Sequence, residues 1–136
     1  MQEVFYLAYV YRFIDIEGRV IYYGKTLDMQ NRMKSHFTKG HLPKECYQSV
    51  AKIEYQKYKT ESDALIMETY YITKYSPKYN KLGQSKDTPT IKFDEGNWKV
   101  YQVLNRQVEK VKYNYGCLSY ILIASLIYGI YYLLSR

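Results

Sequence analysis

The chain has 136 residues, a length that allows one compact domain and an appended segment. Twenty Lys and Arg against thirteen Asp and Glu give a net charge of +7, which favours a polyanionic partner such as nucleic acid or an acidic membrane. Two cysteines and two histidines exclude a disulfide framework and a histidine-rich metal site. The mean hydropathy of −0.47 is that of a soluble protein, and the 19 tyrosines are the unusual feature of the composition.

The first forty residues predict a β-hairpin followed by a helix. Residues 5–14 are rich in Val, Ile, Phe and Tyr on both faces, as in a central strand. Residues 19–23 resume this pattern after a polar break that ends in Gly18, which indicates a hairpin. Apolar residues then recur at four-residue steps, which is typical of a helix, with Asp28 as its expected N-cap and Gly40 as its end.

The following residues predict a third strand and a second helix. Residues 48–58 can supply the strand. Thr60 with Asp63 three residues later resembles a capping box, so the helix is expected to begin there and to run to about Tyr75. Pro77 ends it, because the residue before a proline avoids the α region. Residues 90–93 and 98–103 predict a further hairpin, followed by a short charged helix.

Residues 115–135 form a run of 21 residues with sixteen apolar side chains and no charge. A helix of this length spans about 30 Å, the thickness of the hydrocarbon core of a bilayer. A transmembrane anchor is therefore predicted, with a buried core helix or a dimerisation helix in a soluble protein as the alternatives. Three basic residues precede the run closely and only Arg136 follows it, so the positive-inside rule keeps the N-terminal domain in the cytoplasm.

The second predicted helix carries a carboxylate, Glu68, on its better apolar face. A buried carboxylate is unfavourable unless a cation or hydrogen-bond donors meet it. From the residues alone, a buried Glu–Arg ion pair is the favoured interpretation and a metal ligand is the alternative. Arg32 and His36, four residues apart, project from one face of the first helix. The apolar face of the second helix is predicted to comprise Ala64, Leu65, Tyr71, Ile72 and Tyr75.

The hairpin carries further polar groups, because Tyr11 lies on its first strand and Tyr22 on its second. Each residue taken alone has a structural interpretation, which is packing for a strand tyrosine and a turn or close backbone approach for Gly24. The order of the residues is more informative than any one of them. Tyr9, Val10 and Tyr11 are followed, after ten intervening residues, by Tyr22, Tyr23 and Gly24.

This order resembles the motifs of the GIY-YIG endonuclease family, whose two triplets are Gly-Ile-Tyr and Tyr-Ile-Gly. Tyr9 in place of the glycine and Tyr23 in place of the isoleucine are the two departures. The resemblance covers residues 5–83 and is most similar in register to the N-terminal nuclease domain of the bacterial excision-repair incision subunit. It continues in order through residues 25–32 with the motif arginine, 36–37, 60–68 with the metal-binding glutamate, and 76–80 with the motif asparagine.

The resemblance implies a small α/β (α+β) fold, with a three-stranded antiparallel sheet flanked by helices. The expected organisation is a nuclease domain at residues 1–83, a hairpin and charged connector at residues 84–113, and a hydrophobic, transmembrane-type helix at residues 114–136. Ser125 and Gly129 within that helix form a small-xxx-small pair, which would allow two such helices to form a homodimer.

The resemblance also implies a reaction, namely hydrolysis of DNA phosphodiester bonds with a single Mg²⁺ or Mn²⁺ ion. The pKa of a free tyrosine near 10 is too high for a base at neutral pH, so neighbouring cations must lower it. The implied roles are Glu68 as metal ligand, Arg32 on the phosphate, Tyr22 as general base, Lys25 as the cation that lowers the pKa of Tyr22, Tyr11 as the group that orients water or phosphate, His36 on the phosphate or in proton transfer, and Asn80 as a brace.

The expected function is thus a metal-dependent DNA endonuclease tethered to the cytoplasmic face of a membrane by a single C-terminal span. The alternative function is a catalytically inactive module that keeps the fold and binds nucleic acid or a partner at the membrane. The alternative location is the cytoplasm.

Overall fold

The protein is described here from a computed structural model, which covers residues 7–81 and 86–104. The strands of this part of the chain form one antiparallel sheet in the order β2-β1-β3-β4. The predicted α+β class is confirmed, whereas the predicted number of three strands is wrong, because a fourth strand joins the sheet. The elements are β1 (Ala8–Asp15), β2 (Val20–Thr26), α1 (Met29–Lys39), α2 (Lys44–Ser49), β3 (Val50–Tyr58), α3 (Glu61–Tyr75) and β4 (Lys99–Val103).

The β1–β2 hairpin forms where the sequence predicts it, and its turn is held by Asp15. The Oδ1 atom of Asp15 accepts hydrogen bonds from the backbone N–H groups of Glu17 at 3.0 Å and Arg19 at 2.9 Å. Gly18 adopts a φ of 80°, a conformation that other residues rarely adopt. The resulting register pairs Tyr11 with Gly24. The turn therefore decides which residues of the two motif triplets face each other.

The two longer helices begin and end at the predicted residues. Asp28 caps α1 through a hydrogen bond from the backbone N–H of Asn31 to its side chain, and Gly40 follows the last turn. The Thr60 hydroxyl accepts a hydrogen bond from the backbone N–H of Asp63 and so caps α3. The short helix α2, directly before β3, was not predicted from the sequence.

The two faces of the sheet carry two separate cores, because successive strand residues point to opposite sides. On one face of the sheet α3 packs against β1 and β2, and on the other face α1 and α2 pack. The core under α3 comprises Ala8, Val10, Tyr23, Ala64, Met67, Tyr70, Tyr71 and Ile72. Tyr11 belongs to the core on the opposite face, together with Met29 and Met33 of α1.

The buried face of α3 differs from the predicted one. Leu65 is 50% exposed and Tyr75 is 46% exposed, whereas Met67 and Tyr70 are buried. The helix contacts more than the sheet, because the segment before β4 also packs on it: the Phe93 ring lies 5.0 Å from the Tyr70 ring in an edge-to-face arrangement. The contact with Phe93 helps to bury Tyr70, which does not belong to the predicted apolar face of the helix.

The predicted hairpin at residues 90–103 is wrong. Residues 90–93 form no strand, and β4 pairs instead with β3, where Tyr55 lies opposite Lys99. The free edge of β3 offers β4 a ladder of backbone hydrogen bonds, which a local hairpin would have had to replace. Trp98, directly before β4, packs on the Tyr71 ring at 5.3 Å and lies under the Arg12 guanidinium at 4.1 Å.

The predicted membrane segment at residues 115–135 and the charged helix before it lie outside the described residues. Within residues 7–81 and 86–104, no helix is both long enough and apolar enough to cross a membrane.

Candidate active site

Tyr11 lies directly against the backbone of the neighbouring strand. Its register partner is Gly24, and a Cβ atom added to Gly24 would lie 2.4 Å from both the Cζ atom and the hydroxyl oxygen of Tyr11. Real Cβ atoms essentially never approach other atoms within 3.0 Å. A glycine is therefore required where the Tyr11 ring crosses β2. The last glycine of the second triplet allows the tyrosine of the first triplet to take its position.

Replacing Gly24 by alanine is expected to destabilise the protein by about 1–3 kcal/mol, because the new methyl group and the Tyr11 ring cannot share this space. Urea denaturation measures the loss in free energy of unfolding. In a Tyr11→Ala background the same substitution is expected to cost much less, because the opposing ring is gone. An equal cost in both backgrounds would show that Gly24 does not serve to accommodate Tyr11.

The Tyr11 hydroxyl is held by two side chains of α1. The Arg32 Nε–H group donates a hydrogen bond of 3.0 Å to this oxygen, and the His36 Nε2 atom lies 2.7 Å from it. Arg32 and His36 reach the same atom because residues four apart lie on one face of a helix. Burial raises the pKa of Tyr11 above its ordinary value, so this side chain is a neutral phenol at neutral pH.

His36 lies behind Tyr11 and away from solvent, since it is only 1% exposed. Its second ring nitrogen, Nδ1, lies 2.9 Å from the hydroxyl oxygen of Tyr47 on α2. Burial, followed by the charges of Arg32 and His41, lowers the pKa of His36 to about 4. His36 is thus a neutral imidazole at neutral pH, and it reaches the site through Tyr11.

Tyr22 lies beside Tyr11, with 6.1 Å between the two ring centroids, and its ring also packs on Phe13. Burial raises the pKa of Tyr22, while the Arg32 charge and hydrogen bonds from Tyr11 and Arg32 oppose this rise. Arg32 is therefore the cation that acts on Tyr22. The Lys25 Nζ atom forms an ion pair of 2.8 Å with Glu61, and the role of Lys25 at Tyr22 stays a prediction.

Glu68 projects from α3 toward the end of β2 and is half-buried. Burial raises the pKa of its carboxyl group, and three groups oppose the rise: the Lys25 ammonium, the Lys25 backbone N–H, which donates a hydrogen bond, and the Arg32 guanidinium. In the part of the chain that the structure describes, no ion pair within 4.0 Å includes Glu68. Among residues 7–81 and 86–104, the buried Glu–Arg pair favoured from the residues alone is thus not formed.

The carboxylate of Glu68 fits a hard divalent cation, because it is a partly desolvated oxygen donor that forms no ion pair within the described residues. Among residues 7–81 and 86–104, no group of three or more His, Cys, Asp or Glu side chains could hold a metal ion. A cation at Glu68 would therefore take most of its ligands from water and from a bound substrate, as Mg²⁺ commonly does.

The side chain of Asn80 forms the hydrogen bonds to the outer edge of β2 that a neighbouring strand would otherwise form. Its Oδ1 atom accepts a hydrogen bond from the Tyr23 N–H, and its Nδ2 atom donates one to the Tyr23 carbonyl, both at 2.8 Å. The Tyr79 N–H donates to the carbonyl of Ile21. Outward backbone groups of β2 are thus occupied at residues 21 and 23, which fixes the strand that carries Tyr22.

The remaining motif residues serve packing. Val10 is fully buried in the core under α3. Tyr23 is buried there as well, and its ring stacks on Tyr71 at 5.1 Å with an interplanar angle of 11°. Tyr9 lies on the opposite face, partly exposed, with its ring 6.0 Å from that of Tyr55. The sheet accommodates a tyrosine at the position of the family glycine because this side chain lines a cleft next to the first residues of α1.

Sequence reasoning missed Tyr47. It lies on the short helix α2, and among 19 tyrosines neither its spacing nor its neighbours distinguish it. Its contact with His36 arises only because α2 packs on the same face of the sheet as α1.

An antiparallel sheet whose first hairpin carries two tyrosines, with an arginine of α1 and a glutamate of α3 beside them, has the architecture of a GIY-YIG domain. Comparison with known proteins places the chain more narrowly, since the family model of the UvrC-like GIY-YIG domain matches residues 8–81. The chain belongs to this family, and the resemblance found in its motifs is confirmed.

Proteins named UvrABC system protein C are among the similar proteins. The one from Bacteroides thetaiotaomicron is 40% identical over 86 residues, which are 60% of this chain and 14% of the relative. The one from Bdellovibrio bacteriovorus is 35% identical over 106 residues, which are 74% of this chain and 17% of the relative. The Vibrio cholerae protein is 42% identical over 76 residues, 54% of this chain and 12% of the relative. The chain thus spans less than a fifth of the length of these relatives.

Proposed function

We propose that this chain is a metal-dependent endonuclease that hydrolyses phosphodiester bonds in DNA. The observation that carries the proposal is the arrangement around Tyr11, whose ring lies 6.1 Å from that of Tyr22 and whose hydroxyl accepts a hydrogen bond from Arg32. The charges of Arg32 and Glu68 both act on Tyr22 there. These three groups supply a proton acceptor, a phosphate-binding cation and a metal ligand, which are the parts that phosphodiester hydrolysis needs. Membership of the UvrC-like GIY-YIG family supports the same reaction.

Glu68 would hold Mg²⁺ or Mn²⁺, because both are hard cations that prefer oxygen ligands and retain bound water. When bound, the cation supplies positive charge that polarises the phosphate and stabilises the leaving oxygen. The ammonium and the backbone N–H of Lys25 both favour the ionised form of the Glu68 carboxyl group and lower its pKa. Lys25 thus contributes to the site through its backbone as well as through its charge.

Arg32 binds the scissile phosphate in this proposal. Its guanidinium is planar and always charged, and it carries five N–H donors, so it can bind phosphate oxygens while its Nε–H group donates to Tyr11. The same guanidinium lies beside Tyr22 and favours the phenolate form of that residue. One side chain therefore links substrate binding to activation of the base.

Tyr22 accepts a proton from the attacking water. Because burial raises its pKa, Tyr22 is a neutral phenol in the free protein at neutral pH, and positive charge at the site has to lower that pKa before proton transfer. Tyr11 orients Tyr22 or the water through its hydroxyl group. His36 is buried, so its contribution is to hold Tyr11, and Asn80 keeps β2 in place.

The test is incubation of the full chain with supercoiled plasmid, linear duplex and branched DNA in the presence of Mg²⁺ or Mn²⁺. Nicked or cleaved DNA is expected with either cation, and its formation is expected to stop when a chelator removes the cation. Cleavage that continues in excess chelator would contradict the metal requirement. Salt-sensitive DNA binding without cleavage of any substrate would instead indicate a catalytically inactive binding module.

The uncharged run at residues 115–135 adds a location to the proposal. We propose that this run attaches the domain to the cytoplasmic face of a membrane by a single C-terminal span. The alternative is a cytoplasmic chain in which the run forms a homodimer through Ser125 and Gly129. Partitioning of the full chain between membrane and cytosolic fractions distinguishes the two.

A further inference from the structure

The hydroxyl group of Tyr47 lies at hydrogen-bonding distance from the loop after α1 and from His36. The backbone N–H groups of His41 and Leu42 donate to its oxygen at 3.0 Å and 3.1 Å. The Nδ1 atom of His36 lies 2.9 Å from the same oxygen. Tyr47 thus joins the loop after α1 to the histidine behind the candidate active site.

The number of lone pairs determines which atom donates between Tyr47 and His36. A hydroxyl oxygen has two lone pairs and one proton. Both lone pairs of Tyr47 accept backbone N–H groups, so an Nδ1–H group on His36 would find no acceptor there. The Tyr47 O–H group therefore donates to Nδ1. A neutral imidazole carries one proton, so that proton is on Nε2.

The tautomer of His36 in turn sets the direction of the Tyr11 hydroxyl. His36 Nε2–H donates to the Tyr11 oxygen, which also accepts the Nε–H group of Arg32. Both lone pairs of Tyr11 are then occupied, and its own proton has to point elsewhere. Tyr22 is the hydroxyl-bearing neighbour on the same face, since its ring lies 6.1 Å from the Tyr11 ring and its phenolate form is favoured by the Tyr11 hydroxyl.

We propose that Tyr47 is a positioning residue that fixes His36 as the Nε2–H tautomer and thereby aims the Tyr11 hydroxyl at Tyr22. The chain of donors runs from Tyr47 through His36 and Tyr11 to Tyr22. Its effect on catalysis rests on the proposed nuclease function, whereas the tautomer itself does not. These hydrogen bonds move no proton before the reaction, and each of them holds a proton on a defined atom.

The surroundings of His36 support a single neutral state. Its ring is 1% exposed and lies 5.2 Å from the Phe13 ring, edge-to-face. Charged and titratable groups face the His36 ring from every neighbouring element. The charges of Arg32 and His41 disfavour protonation of His36 to the imidazolium cation. The groups that face the ring are Tyr11 on β1, Tyr22 on β2, Arg32 on α1, His41 in the following loop and Tyr47 on α2.

Nitrogen NMR of the full chain tests the tautomer without any catalytic assay. In a His41→Gln background His36 is the only imidazole, and its unprotonated and protonated ring nitrogens have well-separated chemical shifts. At neutral pH Nδ1 is expected to be unprotonated and Nε2 protonated. A protonated Nδ1 atom would overturn the inference, whatever the activity of the protein.

The Tyr47→Phe variant tests the positioning role. Without the hydroxyl group, His36 is expected to populate both tautomers, and kcat for DNA cleavage is expected to fall by on the order of 10-fold with little change in KM. Tyr75→Phe, which removes a hydroxyl bound to Glu95 far from this site, is the matched control and should change neither quantity. A Tyr47→Phe protein that keeps a single Nε2–H tautomer and full kcat would contradict the proposal.

The two proposals fail in different ways. If the wild-type chain cleaves no DNA but shows the Nε2–H tautomer that Tyr47→Phe loses, the nuclease function fails and the assignment of Tyr47 holds. If DNA is cleaved and the wild-type tautomer is Nδ1–H, the assignment of Tyr47 fails alone. Should Tyr47→Phe not fold, the wild-type spectrum still decides between the tautomers.

Discussion

Replacing Glu68 by glutamine is expected to lower the rate of DNA cleavage by about 10²-fold or more, with a higher cation concentration needed for half-maximal rate. Glutamine keeps the size of the side chain and removes its charge, so a divalent cation loses its protein ligand. Loss of several kcal/mol of transition-state stabilisation corresponds to an effect of this size. Initial rates of plasmid nicking across a Mn²⁺ titration measure both quantities.

Glu45→Gln is the matched control for this substitution. Glu45 is an exposed glutamate in the first turn of α2, so the same chemical change there should leave the rate and the cation dependence unaltered. Because the pKa of Glu68 is raised by burial, the glutamine variant should also fold at least as well as the wild type. An unchanged rate in a folded Glu68→Gln protein would rule out Glu68 as the metal ligand.

Replacing Tyr22 by phenylalanine is expected to lower kcat by about 10²- to 10⁴-fold, the range attributed to a general base. The substitution keeps the ring that packs on Phe13 and removes only the hydroxyl group. DNA binding at equilibrium should remain close to that of the wild type, because Arg32 still carries its charge. Single-turnover cleavage and equilibrium binding separate the two effects.

Tyr55→Phe serves as the control for the loss of a hydroxyl group on the same face of the sheet. The thermal stability of both variants should be measured as well, because Tyr22→Phe leaves hydrogen-bond donors of Arg32 and Tyr11 without their acceptor. If the Tyr22→Phe protein cleaves DNA at the wild-type rate, Tyr22 is not the general base and another group has that role. Tyr11, which is more deeply buried, would then be the next residue to replace.

The local features of the fold could be predicted from the sequence because local interactions determine them. Asp28 and Thr60 cap their helices as expected, since an N-cap hydrogen bond joins residues only two or three positions apart. The hairpin turn depends in the same way on Asp15 and Gly18. The order of the motif residues was also sufficient to indicate the family, which the match over residues 8–81 bears out.

Long-range packing could not be predicted in this way. The residues 90–103 have the composition of a hairpin, yet β4 pairs with β3, because an unpaired strand edge is the better partner. The apolar pattern of α3 indicated one buried stripe, whereas the helix contacts both the sheet and the segment before β4. These outcomes depend on which surfaces meet, and a local pattern does not contain that information.

The sequence by itself therefore determined the family, the helix caps, the hairpin and the residue types of the site. Only the tertiary structure decided how these residues act on one another. It paired the Lys25 ammonium with Glu61, placed Arg32 against Tyr11, and brought Tyr47 behind His36. The physical reason is that hydrogen bonds and charge effects fall off within a few ångströms, so they depend on how helices and strands far apart in the chain pack together.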